Sequence, residues 1–185
     1  YMPELDKTIV KKNDYLRHCA ELIISNLSDG GETCDNGQLQ KKLDEINSSC
    51  RDLNEWIFNM ANKYYAMGKT VALIGGDHST PLGLIKAVGK QFGEFGILQI
   101  DAHADLREAY EGFTYSHASI MYNVLKEVPE MTRLVQLGVR DFCDEEYFLI
   151  QKENTRIKTY FDSHIKSRQY DGETWKSICD DIIEQ

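Results

Sequence analysis

Two short segments carry the residues of this chain whose types and spacing favour metal chemistry. The first reads Gly-Gly-Asp-His-Ser over residues 75–79, and the second reads Asp-Ala-His-Ala-Asp over residues 101–105. Mixed imidazole and carboxylate ligands suit Mn²⁺, Fe²⁺, Co²⁺ or Zn²⁺, and the lack of thiolates argues against a structural zinc site. A pair of such cations lowers the pKa of a water that they share. We therefore predict a hydrolytic metal site.

The positions of the two segments indicate how they meet. An apolar run at 70–74 precedes His78, another at 96–100 precedes Asp101, and a helix is predicted between them. Strands joined through a helix run parallel, and parallel sheets bind ligands beyond the carboxyl ends of their strands. We therefore expect two neighbouring strands to place His78 beside Asp101.

The second segment has an internal spacing of its own. Asp101, His103 and Asp105 are two residues apart, so an extended backbone would direct all three side chains the same way. Three ligands on one face can reach one or two ions. Taken alone, His78 fits a turn or core histidine and the second segment fits a solvated loop. The combination of the two segments favours metal binding.

Apolar periodicity divides a single domain into a helical part, residues 1–68, and a part of alternating strands and helices, residues 69–185. The long stripe from Leu39 to Tyr64 favours a helix packed on the core, although a coiled coil shares that spacing. Asp35 and Gln38 fit the cap of this helix. The alternation predicts an α/β fold, a three-layer parallel sheet with helices on both faces. Helices are predicted over 13–27, 39–64, 81–88, 116–127, 144–151 and 172–185, and strands over 70–74, 96–100, 133–139 and 156–160.

Composition excludes some classes of partner. Thirty acidic residues against 21 basic ones give 185 residues a formal charge of −9, which argues against nucleic acid or an anionic membrane surface as a partner. No apolar run approaches the roughly 18 residues of a membrane span. Five widely spaced cysteines without a CxxC pair fit a reducing cytoplasm better than a disulfide framework.

The two segments together resemble the ureohydrolase family of arginases, agmatinases and formimidoylglutamases, and the resemblance covers roughly residues 70–141. It implies an arginase-like fold and two Mn²⁺ ions that hydrolyse a guanidinium or related amidine group, usually releasing urea. It also implies that His78, Asp101 and Asp105 hold one ion, that His103 and Asp101 hold the other, and that Asp101 bridges them.

The resemblance assigns further roles near these ligands. His117 follows Asp101 by 16 residues, where family members carry a histidine that lines the substrate cleft and assists proton transfer. His117 and Asp105 are therefore the expected catalytic residues, although His117 also fits an exposed histidine at a helix start. Asp77 would orient its neighbours.

The loop before His117 bears on the substrate. It lacks the run of Asn, Thr and Ser with which arginases grip the amino-acid end of arginine, and residues 110–112 and 116–119 more closely resemble agmatinases. Glu108 or Glu111 could meet a substrate amine, although solvated charge also explains them. We expect a small guanidino substrate and agmatinase-like activity, with arginase or formimidoylglutamase activity as alternatives. Family members are commonly oligomers, so a homo-oligomer is expected.

One family motif is missing. Ureohydrolases carry a later Ser-x-Asp-x-Asp that ligates both ions, whereas Asp180 and Asp181 lie in a helix-like stretch with the wrong spacing. We therefore expect a fragment, incomplete at both ends and weak or inactive alone. A non-catalytic metal-binding domain, another metallohydrolase such as a deacetylase relative, and a plain α/β scaffold are the rival interpretations.

Overall fold

The protein, described by a computed structural model over residues 7–34 and 36–185, contains a parallel sheet of three strands. The strands are β1 (Phe95–Ile100), β2 (Met131–Val139) and β3 (Ile157–Phe161), and they lie in the order β1-β2-β3. Both neighbouring pairs are parallel, so all three carboxyl ends open at one edge of the sheet. The predicted α/β fold with a parallel sheet is confirmed.

Helices cover both faces of this sheet, as the sequence predicted. The helices are α1 (Lys7–Ser28), α2 (Gly37–Ala66), α3 (Leu82–Phe92), α4 (Ile120–Glu127), α5 (Asp144–Lys152), α6 (Asp162–Tyr170) and α7 (Trp175–Ile183). One face packs against α3, α4 and α5, and the other packs against α6 and α7. Two short 3-10 turns, at Tyr110–Gly112 and His117–Ser119, lie in the connection between β1 and α4.

Alternation along β2 builds the two halves of the core. Leu134 is fully buried against the face that α3, α4 and α5 cover, whereas the next residue, Val135, packs against Ile178 of α7 on the opposite face. Each large aliphatic side chain buried in this way stabilises the fold by about 1.5–3 kcal/mol. The sheet is therefore held from both sides, which fixes the edge where ligands would bind.

The two N-terminal helices form a hairpin with its own apolar cluster, in which Cys19 and Ile23 of α1 pack against Leu43 and Ile46 of α2. The stripe along α2 therefore serves core packing. The N-cap of α2 is Asn36, whose side chain accepts from the backbone N–H groups of Gln38 and Leu39 at 3.1 and 3.3 Å. The predicted cap residue Asp35 lies outside the described residues.

One predicted element is wrong, and one element of the structure was not predicted. Residues 70–74 form no strand, and the side chain of Ile74 is 89% exposed. A strand needs a hydrogen-bonded partner, and none of the described residues pairs with this segment, because β1 pairs only with β2. Helix α6 was not predicted, because it is polar and buries only Ile165. Within the described residues, no helix is both long enough and apolar enough to cross a membrane.

Candidate metal centre

His78 lies against the two aspartates of the second segment. Its Nδ1 atom is 2.6 Å from Oδ2 of Asp105 and 3.3 Å from Oδ2 of Asp101. One ligand atom from each of the three residues falls within 4.8 Å of the others, which is compact enough for a single cation. The segments meet as expected, although the route differs, because His78 follows an irregular segment and not a neighbouring strand.

Local hydrogen bonds fix the turn that carries His78. Oδ1 of Asp77 accepts from the backbone N–H of Ser79 at 2.8 Å and from the Ser79 hydroxyl at 2.5 Å. The Thr80 hydroxyl donates to the Asp77 carbonyl at 3.1 Å. This closed turn leads into α3, so Asp77 orients the backbone on which His78 sits.

Asp101 continues the edge of the sheet and shares its two oxygens between two histidines. Its N–H donates to the Leu137 carbonyl at 3.1 Å, which extends the pairing of β1 with β2. Oδ2 faces His78, whereas Oδ1 accepts from the His103 backbone N–H at 2.9 Å and lies 3.3 Å from His103 Nδ1. The Asp101 carboxylate thus contacts both imidazoles, each through a different oxygen.

The prediction of an extended backbone through Asp105 is wrong. Asp105 has a φ of +55°, in the left-handed region that non-glycine residues rarely adopt. The side chain of Asp105 is 5% exposed, whereas that of His103 is 59% exposed. The chain turns here because the Asp105 carbonyl accepts from the N–H groups of Met121 and Tyr122 at the start of α4. Left-handed residues that are held in this way are common at functional sites.

His103 lies outside the three-residue cluster. Its Nε2 atom is 3.7 Å from Oδ2 of Asp141, and the two residues form an isolated parallel bridge just beyond the sheet. The exposed imidazole therefore lies between the carboxylates of Asp101 and Asp141.

The cluster perturbs the protonation of its own members. The hydrogen bond with Asp105 raises the pKa of His78 against the opposing effect of burial, and the charges of Asp105, Asp101 and Asp77 add to the increase. Burial would raise the pKa of Asp101, but the hydrogen bond from the His103 backbone and the His78 charge lower it overall. These directions match a site that attracts positive charge.

The structure does not join His117 to the cluster. His117 begins the second 3-10 turn, its side chain is exposed, and its imidazole makes no hydrogen bond or ion pair with the part of the chain that the structure describes. Of the two loop glutamates, Glu108 is 3.8 Å from Lys126, whereas Glu111 is exposed and has a φ of +55°.

Asp180 and Asp181 are not placed at the site. They lie on α7, where Asp180 accepts from Lys176 at 2.6 Å and Asp181 from Arg168 at 2.7 Å. Both aspartates are thus engaged in ion pairs on the surface of that helix.

Three buried polar residues near the site were missed by the sequence analysis. Gln99 and Gln136 lie inside strands, and Glu146 lies in the first turn of α5. The available signal was a glutamine within each of two strand segments that are mainly apolar. The burial of Glu146 had no comparable signal, because the first turn of a helix often carries exposed acidic residues.

The donor set fits a divalent cation. One imidazole nitrogen and two carboxylate oxygens converge, and such mixed nitrogen and oxygen ligation is accepted by manganese and by its neighbours in the first transition series. The carboxylate of Asp105 is nearly buried, and a buried carboxylate is stable only beside positive charge or hydrogen-bond donors. These observations favour a cation at this point of the structure.

Comparison with known proteins shows the family to which the chain is related. A family model described as "Arginase family" matches residues 13–184. N(1)-aminopropylagmatine ureohydrolase of Thermus thermophilus is 39% identical over 98 residues, which are 52% of this chain and 32% of that protein. Agmatinase of Cronobacter sakazakii is 33% identical over 97 residues, 52% of this chain and 31% of that protein.

The solved structure of an arginase from Medicago truncatula has a TM-score of 0.56 and 26% identity, covering 68% of this chain and 40% of that one. The matched part of the chain spans about a third of the length of each of the two curated relatives. The family match extends over nearly all of the chain, through the sheet, its covering helices and both ligand-bearing segments. The chain belongs to the arginase family.

Proposed function

We propose that the protein is a metal-dependent hydrolase of a guanidino compound, with agmatinase-like specificity and two Mn²⁺ ions. The convergence of His78, Asp101 and Asp105 within 4.8 Å is the observation that carries this proposal. Family membership supports the reaction class. The names of two relatives, an N(1)-aminopropylagmatine ureohydrolase and an agmatinase, support a substrate that ends in an amine.

The ligands would divide between two ions. His78, Asp101 and Asp105 would hold the first, and His103 and Asp101 would hold the second. Two features support this division: the separate oxygens that Asp101 presents to the two histidines, and the position of His103 outside the compact cluster. Asp141, which lies 3.7 Å from His103, would help to orient that imidazole.

When bound, the two ions would supply a water of lowered pKa and positive charge beside the reacting carbon. The protein's own residues would place and protonate the reactants. Asp105 would orient the attacking water by accepting its hydrogen bond, and His117 would deliver a proton to the nitrogen that leaves. The exposed Glu111, on the loop between Asp105 and His117, would attract the distant amine of the substrate.

The substrate is tested by product analysis on the intact protein with added Mn²⁺. We expect urea from agmatine, little urea from arginine and little formamide from N-formimidoylglutamate, with all turnover lost after chelation. Preferred turnover of arginine or N-formimidoylglutamate would assign the corresponding alternative activity. Metal binding without turnover of any of the three would indicate a non-catalytic metal-binding protein.

The remaining parts of the proposal are a homo-oligomer and a reducing cytoplasm. The wide spacing of the five cysteines and the lack of a CxxC pair support the reducing compartment. Sedimentation equilibrium of the intact protein tests the oligomer, and a monomer at micromolar concentration would contradict it.

A further inference from the structure

A row of polar side chains crosses the sheet beneath the candidate metal centre. Gln99 of β1 registers with Gln136 of β2, and Gln136 registers with Thr159 of β3. Gln99 is 4% exposed and Gln136 is completely buried. Burying an amide costs free energy unless each of its polar atoms finds a partner, so apolar residues would be the simpler choice here. Packing alone therefore does not explain why the row is polar.

Along this row, each donor faces the next strand in the direction from β3 to β1. The Thr159 hydroxyl donates to Oε1 of Gln136 at 2.8 Å, and Nε2 of Gln136 donates to Oε1 of Gln99 at 2.7 Å. Because Oε1 of Gln99 faces the Gln136 amide, the amino group of Gln99 points away from Gln136. That group lies 3.3 Å from Oδ2 of Asp105. The row thus presents a donor to the carboxylate that also contacts His78.

The same two amides hold the backbone of the ligand loop. Gln136 donates to the Ala104 carbonyl at 2.7 Å, and Gln99 donates to the His103 carbonyl at 3.4 Å. Asp105 follows directly in its left-handed conformation. Two side chains of the sheet therefore bind the His103 and Ala104 carbonyls and one carboxylate oxygen of Asp105. The left-handed residue is held through its carboxylate and through the backbone that precedes it.

We propose that Gln99 and Gln136 are positioning residues that hold Asp105 in the geometry of a metal ligand before the cation arrives. This inference rests on the proposed metal site. A ligand that is already oriented loses less conformational freedom on binding, and removal of groups that orient metal ligands typically lowers affinity about 10- to 100-fold. Gln99 acts on Asp105 directly, whereas Gln136 acts by fixing the amide orientation of Gln99 and by holding the loop.

The test measures the Mn²⁺ dissociation constant of the intact, metal-stripped protein by isothermal titration calorimetry. Gln99→Leu keeps a similar volume but removes the donor, and we expect it to weaken Mn²⁺ binding about 10- to 100-fold. Gln136→Leu should weaken binding in the same direction. Thr159→Val, at the far end of the row, should change the constant least. If Gln99→Leu fails to fold, Gln99→Asn keeps an amide that is too short to reach Asp105, and the same loss is expected.

Val135→Ala serves as the matched control. Val135 precedes Gln136 in β2 but faces the opposite side of the sheet, so its truncation lowers stability without touching the row. All variants are compared at a temperature where each is folded. An equal loss of affinity in Val135→Ala, or a Gln99→Leu constant within about twofold of the parent, would overturn the positioning role. A parent protein that binds no Mn²⁺ would instead refute the metal site itself, and the inference with it.

Discussion

Glu146 offers a sharp test of how the ligand loop is held. Its side chain is 3% exposed, and its two oxygens accept from two backbone N–H groups. Oε1 accepts from Leu106, directly after Asp105, and Oε2 accepts from Cys143, which begins α5, both at 2.9 Å. The carboxylate therefore joins the loop to the helix on the same face of the sheet.

The expected loss of stability on mutation of Glu146 follows from these two hydrogen bonds. Hydrogen bonds to charged groups contribute about 1.5–3 kcal/mol each, so Glu146→Ala should lower the free energy of unfolding by about 3–6 kcal/mol. Glu146→Gln keeps one acceptor and should lower it by about 2 kcal/mol. With an m-value near 2 kcal/mol/M, the Gln variant should shift the midpoint of urea unfolding by about 1 M.

The assay is urea unfolding followed by far-ultraviolet circular dichroism at neutral pH. Glu145→Gln is the matched control, because it makes the same chemical change on an exposed neighbour in the same turn of α5. The control should cost about 0.3–1 kcal/mol, from the loss of a negative charge near a helix N-terminus. Equal midpoints for the two variants would contradict the link that Glu146 makes between the loop and α5.

Three further predictions follow from other parts of the fold. Gly83→Ala should destabilise the protein by about 1–3 kcal/mol in thermal unfolding, because an added Cβ would lie 2.2 Å from the Asn54 carbonyl oxygen; an unchanged melting temperature would contradict the close approach of α2 and α3. The guanidinium of Arg168, with help from the Ser177 hydroxyl, lowers the pKa of Glu173 from 4.5 to about 2. A lowered folded-state pKa stabilises the protein above the unfolded value, so Glu173→Gln should be less stable than the parent at pH 7, and acid unfolding curves should converge as the pH falls from 4.5 towards 2. His117→Asn should lower kcat for agmatine about 100-fold or more while the Mn²⁺ dissociation constant stays unchanged, and a parallel loss of metal binding would contradict a role in proton transfer.

The sequence predicted the elements whose apolar pattern is unambiguous. The strands that became β1, β2 and β3 and the long helix α2 were found, because their burial follows from their own residues. The segment at 70–74 has the composition of a buried strand, yet composition cannot supply the partner that a strand requires. Helix α6 was missed for the opposite reason, since a single buried residue, Ile165, leaves no stripe to detect.

At the site, the sequence predicted the convergence only in part. His103 lies outside the cluster of three residues, and His117 is not joined to it. His78, Asp101 and Asp105 meet, whereas the alternation rule failed at Asp105 because a left-handed residue breaks the period of an extended chain. The supporting amides of Gln99 and Gln136 depend on the register between strands, which the local sequence does not encode. Their interruption of apolar strands could have marked them as residues that need partners.

A Mn²⁺ titration of the intact, metal-stripped protein and of its Asp101→Asn variant, with bound metal counted by electron paramagnetic resonance, tests the proposed metal centre most directly. We expect two bound ions in the parent protein. We expect the variant to lose tight binding of both, because Asp101 presents one oxygen towards His78 and the other towards His103. Undiminished binding by Asp101→Asn would contradict the proposed metal centre.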